Sequence, residues 1–397
     1  CTRRDTSMVL QRLATLASRL LSLIILPAQL PDDVIDTLEE LVRAPLSTLR
    51  TWSPRVAWRL LRQLVRMEKL TLPSENQTRR LADSRQSFLS RGWAHAPVRT
   101  ADGFLLDAVI KEPPAAKSRN GGDAAPRFVI FVGGNCQKYE DWLGYYEVYA
   151  RDVGCGFLAF NFRGVGESEG AVTAAADLVA DVAACVEVLL QRGVQPQHLL
   201  LHGFSLGGAV AALLLASQPQ RGICYVSDRS FRSLSRTAYG IVRGPPLPGS
   251  GRPTDSLSPL GAAAAATRGA RLGRALAAWG RAVAGWIAVS ALRACAWDMC
   301  AEEAWPAITS RKVLLYHPKD NVIHYTAASM YQALLGSGHV IPTCLGAATD
   351  PSLQVIQVLR MGHKGWAAHD FPLCVDPTVW KELVRCVRAA LQMTASR

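Results

Sequence analysis

From residue 128 onward, short unbroken apolar runs alternate with stretches whose apolar positions recur at i, i+3 and i+4. Residues 128–132 (FVIFV), 156–160 (GFLAF), 198–202 (HLLLH), 223–227 (ICYVS), 312–316 (KVLLY) and 354–359 (QVIQVL) read as strands. Helices are predicted near 139–151, over about 173–191, over 206–216 and over 380–393. Strands that are apolar at every position are covered on both faces, and their alternation with helices implies crossover connections. The pattern therefore predicts a mostly parallel central sheet with helices on both faces. Just upstream, residues 96–110 (APVRTADGFLLDAVI) read as two short strands around an Asp102-Gly103 turn.

Two regions break the rhythm. Residues 1–87 read as an N-terminal helical extension. Within it, residues 8–30 (MVLQRLATLASRLLSLIILPAQL) carry Arg12 and Arg19 on one helical face. Three readings fit that segment: an ordinary packing helix, an interfacial amphipathic helix, or a signal-like stretch without a clean cleavage site. Leu60, Leu61, Leu64 and Val65 form a later apolar stripe, and residues 77–86 read as a polar, basic linker into the main domain, 88–397. The second interruption is an insertion at 240–300. It opens on Pro, Gly and Ser, then turns Ala/Arg-rich and helical with Trp279, Trp286 and Trp297. Before the last two core strands, a lid over a cleft is the expectation for it, with a loosely ordered linker as the alternative.

Composition narrows the class further. The 397 residues are 49% apolar and 19% charged, which excludes disorder as the dominant state. Ten cysteines, placed singly and with no C-x-x-C pair, exclude a disulfide scaffold and favour a cytoplasmic compartment. No run of about 18 uncharged apolar residues marks a membrane span. The net charge is +12, mostly from scattered Arg. That scatter fits a solvated basic face, with peripheral membrane contact through the N-terminal helices or the insertion as the alternative. No nucleic-acid motif and no metal-ligand spacing is found, and no cofactor is expected. Gly164-x-Gly166 with Ser168 is only half of a dinucleotide fingerprint. The chain begins at Cys1 rather than Met, which reads as a fragment.

The chemistry concentrates at His202-Gly203-Phe204-Ser205-Leu206-Gly207-Gly208, a G-x-S-x-G between a strand and an Ala/Leu-rich helix. A nucleophilic serine there needs a sharp turn, and Gly203 and Gly207 remove the Cβ atoms that would clash across it. The helix from Leu206 brings its positive end to the developing oxyanion. A neutral hydroxyl also needs a base. His363, in Met361-Gly362-His363-Lys364-Gly365 just past the last strand, is the expected base, with His369 as its competitor; His324 and His339 come too early. Asp320 in the turn after strand 312–316 is the expected acid, and Asp228 after strand 223–227 is the alternative. Oxyanion donors are expected from the backbone N–H of Leu206 and of Asn135, with Cys136 next in line.

On these residues the chain resembles an α/β-hydrolase over about 95–239 and 301–397. Asn161-Phe162-Arg163-Gly164-Val165-Gly166-Glu167-Ser168-Glu169-Gly170, the 203–208 turn and Asp228-Arg229-Ser230-Phe231 resemble the chlamydial CHLPS-type hydrolases of bacteria, and more distantly the eukaryotic bud-emergence type. The resemblance implies an α/β-hydrolase fold and an acyl-serine intermediate. It makes Ser205 the nucleophile, Asp320 the acid and His363 the base. Two departures stand out: Gly133-Gly134 replaces the usual His-Gly of the oxyanion loop, and the gap from acid to histidine is long. The expected activity is hydrolysis of a small acyl substrate, an ester with lipid esters and thioesters included. An amidase or peptidase with the same triad, and a non-catalytic interaction protein on this fold, are the rival classes.

Overall fold

The computed structural model describes residues 81–114, 125–243, 289–290, 292–293, 297–320, 322–338, 352–358 and 368–392. The chain divides into two compact units, Cys1–Val65 with Ala238–Cys295, and Arg66–Thr237 with Ala296–Arg397. The sheet belongs to the second. Most of the expected N-terminal extension and most of the 240–300 insertion lie outside the described residues.

The strands are β1 (Ala94–His95), β2 (Val98–Arg99), β3 (Leu105–Leu106), β4 (Ala108–Lys111), β5 (Phe128–Val132), β6 (Gly156–Phe160), β7 (Leu199–Phe204), β8 (Cys224–Asp228), β9 (Lys312–Tyr316) and β10 (Leu353–Gln357). Eight of them form one sheet in the order β1-β4-β6-β5-β7-β8-β9-β10. From β6 to β10 every neighbour is parallel, whereas β4 runs antiparallel to β6 and β1 antiparallel to β4. β2 and β3 form a separate ribbon, closed by Gly103 at φ +97°.

The main helices are α1 (Leu81–Leu89), α2 (Leu143–Val153), α3 (Ala175–Gln191), α4 (Leu206–Ser217) and α5 (Pro377–Ala390). Register decides which side chains share a face. Val129 lies opposite Phe157 and Leu200, and Val226 opposite His202 and Val313. Val129, Phe157, Leu200, Val226 and Val313 accordingly join one cluster with Tyr146 and Val153 of α2 and Leu383 and Val387 of α5. α3 and α4 pack against each other and the opposite face, burying Leu178, Val182, Val210 and Leu214. Each such side chain, fully buried, contributes roughly 1.5–3 kcal/mol. α5 starts where Asp376 accepts from the N–H groups of Thr378 and Val379, with Pro377 at its first position.

The linker expected at 77–86 gives way to helix from Leu81. Its local composition is polar, but Arg85 supplies a tertiary reason to fold. The guanidinium donates from Nε to the Tyr139 hydroxyl (2.9 Å) and pairs with Glu140 (3.0 Å), Asp107 and Glu167. The carboxylates of Asp107 and Glu140 are buried, so α1 brings the cation that compensates them.

Arg163, after β6, is a second buried cation. Its Nε and backbone N–H donate to the two oxygens of Asp181 (2.8 and 2.9 Å), and Nη1 meets Asp102 at 2.7 Å. Ser168 bridges the same loop, donating to the Asn161 carbonyl and accepting from the Asp107 N–H. The Gly164-x-Gly166 segment is thereby tied into an internal turn, with both glycines at positive φ. Asp181→Asn is expected to lower stability by about 3 kcal/mol, because one partner of a buried pair is removed. Urea unfolding measures it; an unchanged midpoint would mean that Asp102 and Asp177 suffice for Arg163.

Candidate active site

Ser205 sits between β7 and α4 at φ 51° and ψ −115°, a conformation that costs a non-glycine residue about 1–3 kcal/mol. Its surroundings hold it there. The Ser205 N–H donates to the Asp228 carbonyl (2.9 Å), and the Ser230 hydroxyl donates to the Ser205 carbonyl (2.7 Å). A Cβ on Gly203 would lie 2.5 Å from the Gly207 carbonyl oxygen. One on Gly207 would overlap the Val132 carbonyl oxygen and come within 2.5 Å of that of Gly133. One on Gly208 would strike Ser230. The glycines that the motif required are thus the places where α4 presses onto β5 and its own turn.

The imidazole at the Ser205 hydroxyl is that of His369. Its Nε2 lies 3.0 Å from Ser205 Oγ, and its Nδ1 lies 2.8 Å from Asp320 Oδ2. The expected base, His363, lies outside the described residues, and the histidine hydrogen-bonded to Ser205 is its competitor six positions later. A neutral imidazole with its proton on Nδ1 donates to Asp320 and leaves Nε2 to accept from Ser205, the one tautomer that satisfies both contacts. The other carboxylate oxygen of Asp320 accepts from the N–H groups of Val322 (2.8 Å) and Ile323 (2.7 Å). The Asp320 and His369 side chains are each only 4% exposed, so little water competes for these bonds. Phe204 stacks beside His369 with centroids 5.0 Å apart.

Asp228, the alternative acid, is occupied elsewhere. Its two oxygens meet Arg229 Nε (2.8 Å) and Nη2 (3.1 Å), and Oδ2 also lies 3.4 Å from His202 Nε2. Burial alone would raise the pKa of this carboxyl. The charge of Arg229 and the bonds from His202 and Arg229 outweigh it and hold the group well below the usual carboxylate range. His202 is fully buried and its pKa is pushed down by that burial, so the ring is neutral. The Tyr149 hydroxyl, kept protonated by burial, donates to His202 Nδ1 at 2.8 Å, which leaves the Nε2 proton for Asp228. Sequence spacing had no means to separate the two aspartates. A signal was present nonetheless: Arg229 stands directly beside Asp228, while Asp320 is followed by Asn-Val-Ile, whose backbone can turn back on it.

The expected oxyanion donors lie on adjacent segments. Leu206 opens α4, so its N–H belongs to the first turn, where the helix itself offers no acceptor. Asn135 is exposed in the turn after β5. Gly134 just before it packs on the Phe204 ring and donates its N–H to Gln137 Oε1 (2.7 Å), and Cys136 takes φ 56°. The loop that carries Asn135 is thus folded by its own side chains onto the residue preceding the serine. Among the described residues no group of three or more His, Cys, Asp or Glu side chains could hold a metal ion, and no helix is long and apolar enough to cross a membrane.

A serine on a strained strand-to-helix turn, hydrogen-bonded to a histidine that an aspartate orients, is an arrangement for acyl transfer. Residues 129–372 match the Alpha/beta hydrolase family, and the chain belongs to that family. An alpha-beta hydrolase from Vibrio vulnificus superposes with a TM-score of 0.53 at 16% identity, over 85% of this chain and 95% of the other. A Pyrococcus furiosus esterase gives a TM-score of 0.45 at 17% identity, over 76% and 92%. The multifunctional-autoprocessing repeats-in-toxin proteins of Vibrio cholerae and Vibrio vulnificus are each 30% identical, over 122 and 97 residues, or 29% and 24% of this chain. The matching segments span only 3% and 2% of those toxins.

Gly207→Ala tests the packing at the turn by its sign. Helix propensity alone would make alanine more stable than glycine by about 1 kcal/mol. Overlap with the Val132 and Gly133 carbonyls predicts a net loss of about 2 kcal/mol or more. Thermal or urea unfolding of the variant decides between them, and a stabilised variant would refute the close approach.

Proposed function

We propose that this chain is a serine hydrolase that cleaves carboxylic esters through an acyl-serine intermediate. The observation that carries the reading is the hydrogen-bonded run Ser205–His369–Asp320 on a turn closed by Gly203 and Gly207. In the first half-reaction Ser205 Oγ attacks the acyl carbonyl carbon while its proton passes to His369 Nε2. Asp320 holds the Nδ1 proton and stabilises the imidazolium that forms. The N–H groups of Leu206 and Asn135 receive the oxyanion, each such donor contributing about 3–4 kcal/mol to the barrier reduction. Collapse of the tetrahedral adduct breaks the bond to the leaving group, which departs with the proton from Nε2. In the second half-reaction a water molecule loses a proton to Nε2 and attacks the acyl-enzyme; collapse releases the acid and returns the proton to Ser205.

Within the family, the stretches at 161–170, 203–208 and 228–231 support a place beside the CHLPS-type branch. Matched ester and amide substrates test the leaving-group class, with turnover of the ester expected.

Labelling by a fluorophosphonate, which reports an activated serine without knowledge of the substrate, tests the reading. Wild type is expected to label, and Ser205→Ala is not. His369→Ala is expected to slow labelling by about 10⁴-fold or more, whereas His363→Ala leaves it intact. Loss of labelling in His363→Ala with retention in His369→Ala would overturn the assignment of the base. Folded wild type that never labels would sink the hydrolase reading in favour of a binding protein.

A further inference from the structure

Arg229 touches all three segments that carry Ser205, Asp320 and His369. Its backbone N–H donates to the Leu315 carbonyl (2.9 Å) on β9, the strand that leads to Asp320. Its guanidinium lies over the ring of Phe204, the residue before Ser205, at 4.9 Å, and over that of Phe371, two residues after His369, at 5.1 Å. Nη1 donates to the Phe371 carbonyl at 3.0 Å, while Nε and Nη2 are both spent on Asp228. Arg229 is 3% exposed, and its backbone takes φ 45°, a strained value for a side chain of this size. Nothing in the hydrolytic steps uses its charge.

A buried arginine beside a buried aspartate has an ordinary reading, as a neutralised pair. That reading leaves two features unexplained. A point charge would serve Asp228 equally well, yet the guanidinium lies over two aromatic rings, Phe204 and Phe371, that neighbour the serine and the histidine in the chain. A third donor is also directed away from Asp228, onto the backbone of the loop that carries His369. A planar fork with fixed donor directions does both at once, and an ammonium cannot.

We infer that Arg229 is a positioning residue for the proposed reaction: with Asp228 fixing its plane, it anchors the Phe371 segment and so sets His369 against Ser205. The inference rests on the reading of Ser205, His369 and Asp320 as the reacting set. Asp228, the rejected acid, thereby acquires a role one step removed from the chemistry. His202 and Tyr149 extend the support: His202 Nε2 lies 3.4 Å from Asp228 Oδ2, and the Tyr149 hydroxyl bonds His202 Nδ1.

The test compares wild type with Arg229→Lys and with the double variant Asp228→Asn/Arg229→Gln. Arg229→Lys retains the charge and loses the fork. The double variant removes both charges, so neither remains buried and unpaired, and it guards against a fold lost to charge imbalance. Circular dichroism and melting temperature establish that each is folded. Two readouts follow: the fluorophosphonate labelling rate, and hydrogen–deuterium exchange over residues 368–376.

The expected result is folded variants whose labelling slows by roughly 100-fold, the effect of a displacement of about 1 Å in a reacting group. Exchange over 368–376 accelerates while β5 to β9 remain protected. With an ester substrate found by profiling, kcat falls and KM holds. Labelling at the wild-type rate in both folded variants would overturn the inference, whatever the exchange. So would unchanged exchange over 368–376. The exchange arm needs no activity: wild type that fails to label sinks the hydrolase reading, and the anchoring of the loop by Arg229 is then decided by exchange alone.

Discussion

The site depends on how closely α4 approaches the carbonyl ends of β5 and β7. Gly207 leaves no room for a Cβ beside Val132, and Gly203 leaves none beside the first turn of the helix. That contact forces the chain to reverse within one residue, and Ser205 takes the positive φ that the reversal demands. The strain is held in place by the bonds from its N–H to Asp228 and to its carbonyl from Ser230. Because the turn is this tight, the serine hydroxyl leaves the sheet instead of joining either regular element. The helix then begins beside that hydroxyl with the Leu206 N–H in its first turn, so one steric constraint sets both the serine and that N–H.

Parallel strands supply the rest of the set at the same edge. Asn135 follows β5, Ser205 follows β7, Arg229 follows β8, Asp320 follows β9, and the His369 segment comes after β10. The carboxyl ends of neighbouring parallel strands all face one way, which is where open α/β sheets place their sites. Each loop then needs only a local device to aim its side chain. For Asp320 it is a pair of backbone N–H groups, and for Asn135 it is the Gln137 side chain returning to Gly134. For the His369 segment, Arg229 donates to the Phe371 carbonyl from across the site.

The sheet was legible because its central strands, β5 to β9, are buried on both faces and so are written as apolar runs: β5, β6 and β9 occupy the residues that the pattern assigned. The turn that carries Ser205 was legible for the same kind of reason, since only glycine fits where α4 meets β5. The parts that were hidden depend on contacts distant in sequence. Helix α1 is polar by composition and folds on account of Arg85 meeting Asp107 and Glu140. The histidine beside Ser205 was not the one expected, because both histidines follow the last strand and strand spacing cannot measure a loop. The distinguishing signal was the apolar run that begins two residues after His369: Phe371 and Leu373 are buried in the core cluster, so the chain rejoins the core there, and a histidine just before that point is held by it.

Two aspartates stand at the ends of adjacent strands, β8 and at the turn after β9, and the structure gives them opposite tasks through their neighbours. Asp228 faces a guanidinium that takes both of its oxygens, and its Oδ2 also meets the buried imidazole of His202, not that of His369. Asp320 meets neutral backbone N–H groups with one oxygen and has the other free for His369 Nδ1. The difference matters because an acid that orients a histidine must keep its charge and still have a lone pair to offer. Asp228 meets the first condition, but its lone pairs are shared between Arg229 and His202 and none is turned to His369. A carboxylate held by two amides meets both. The residue that disqualifies Asp228 from the first role is the same one that reaches the histidine loop. The pair therefore belongs to the architecture of the site even though it takes no part in the relay.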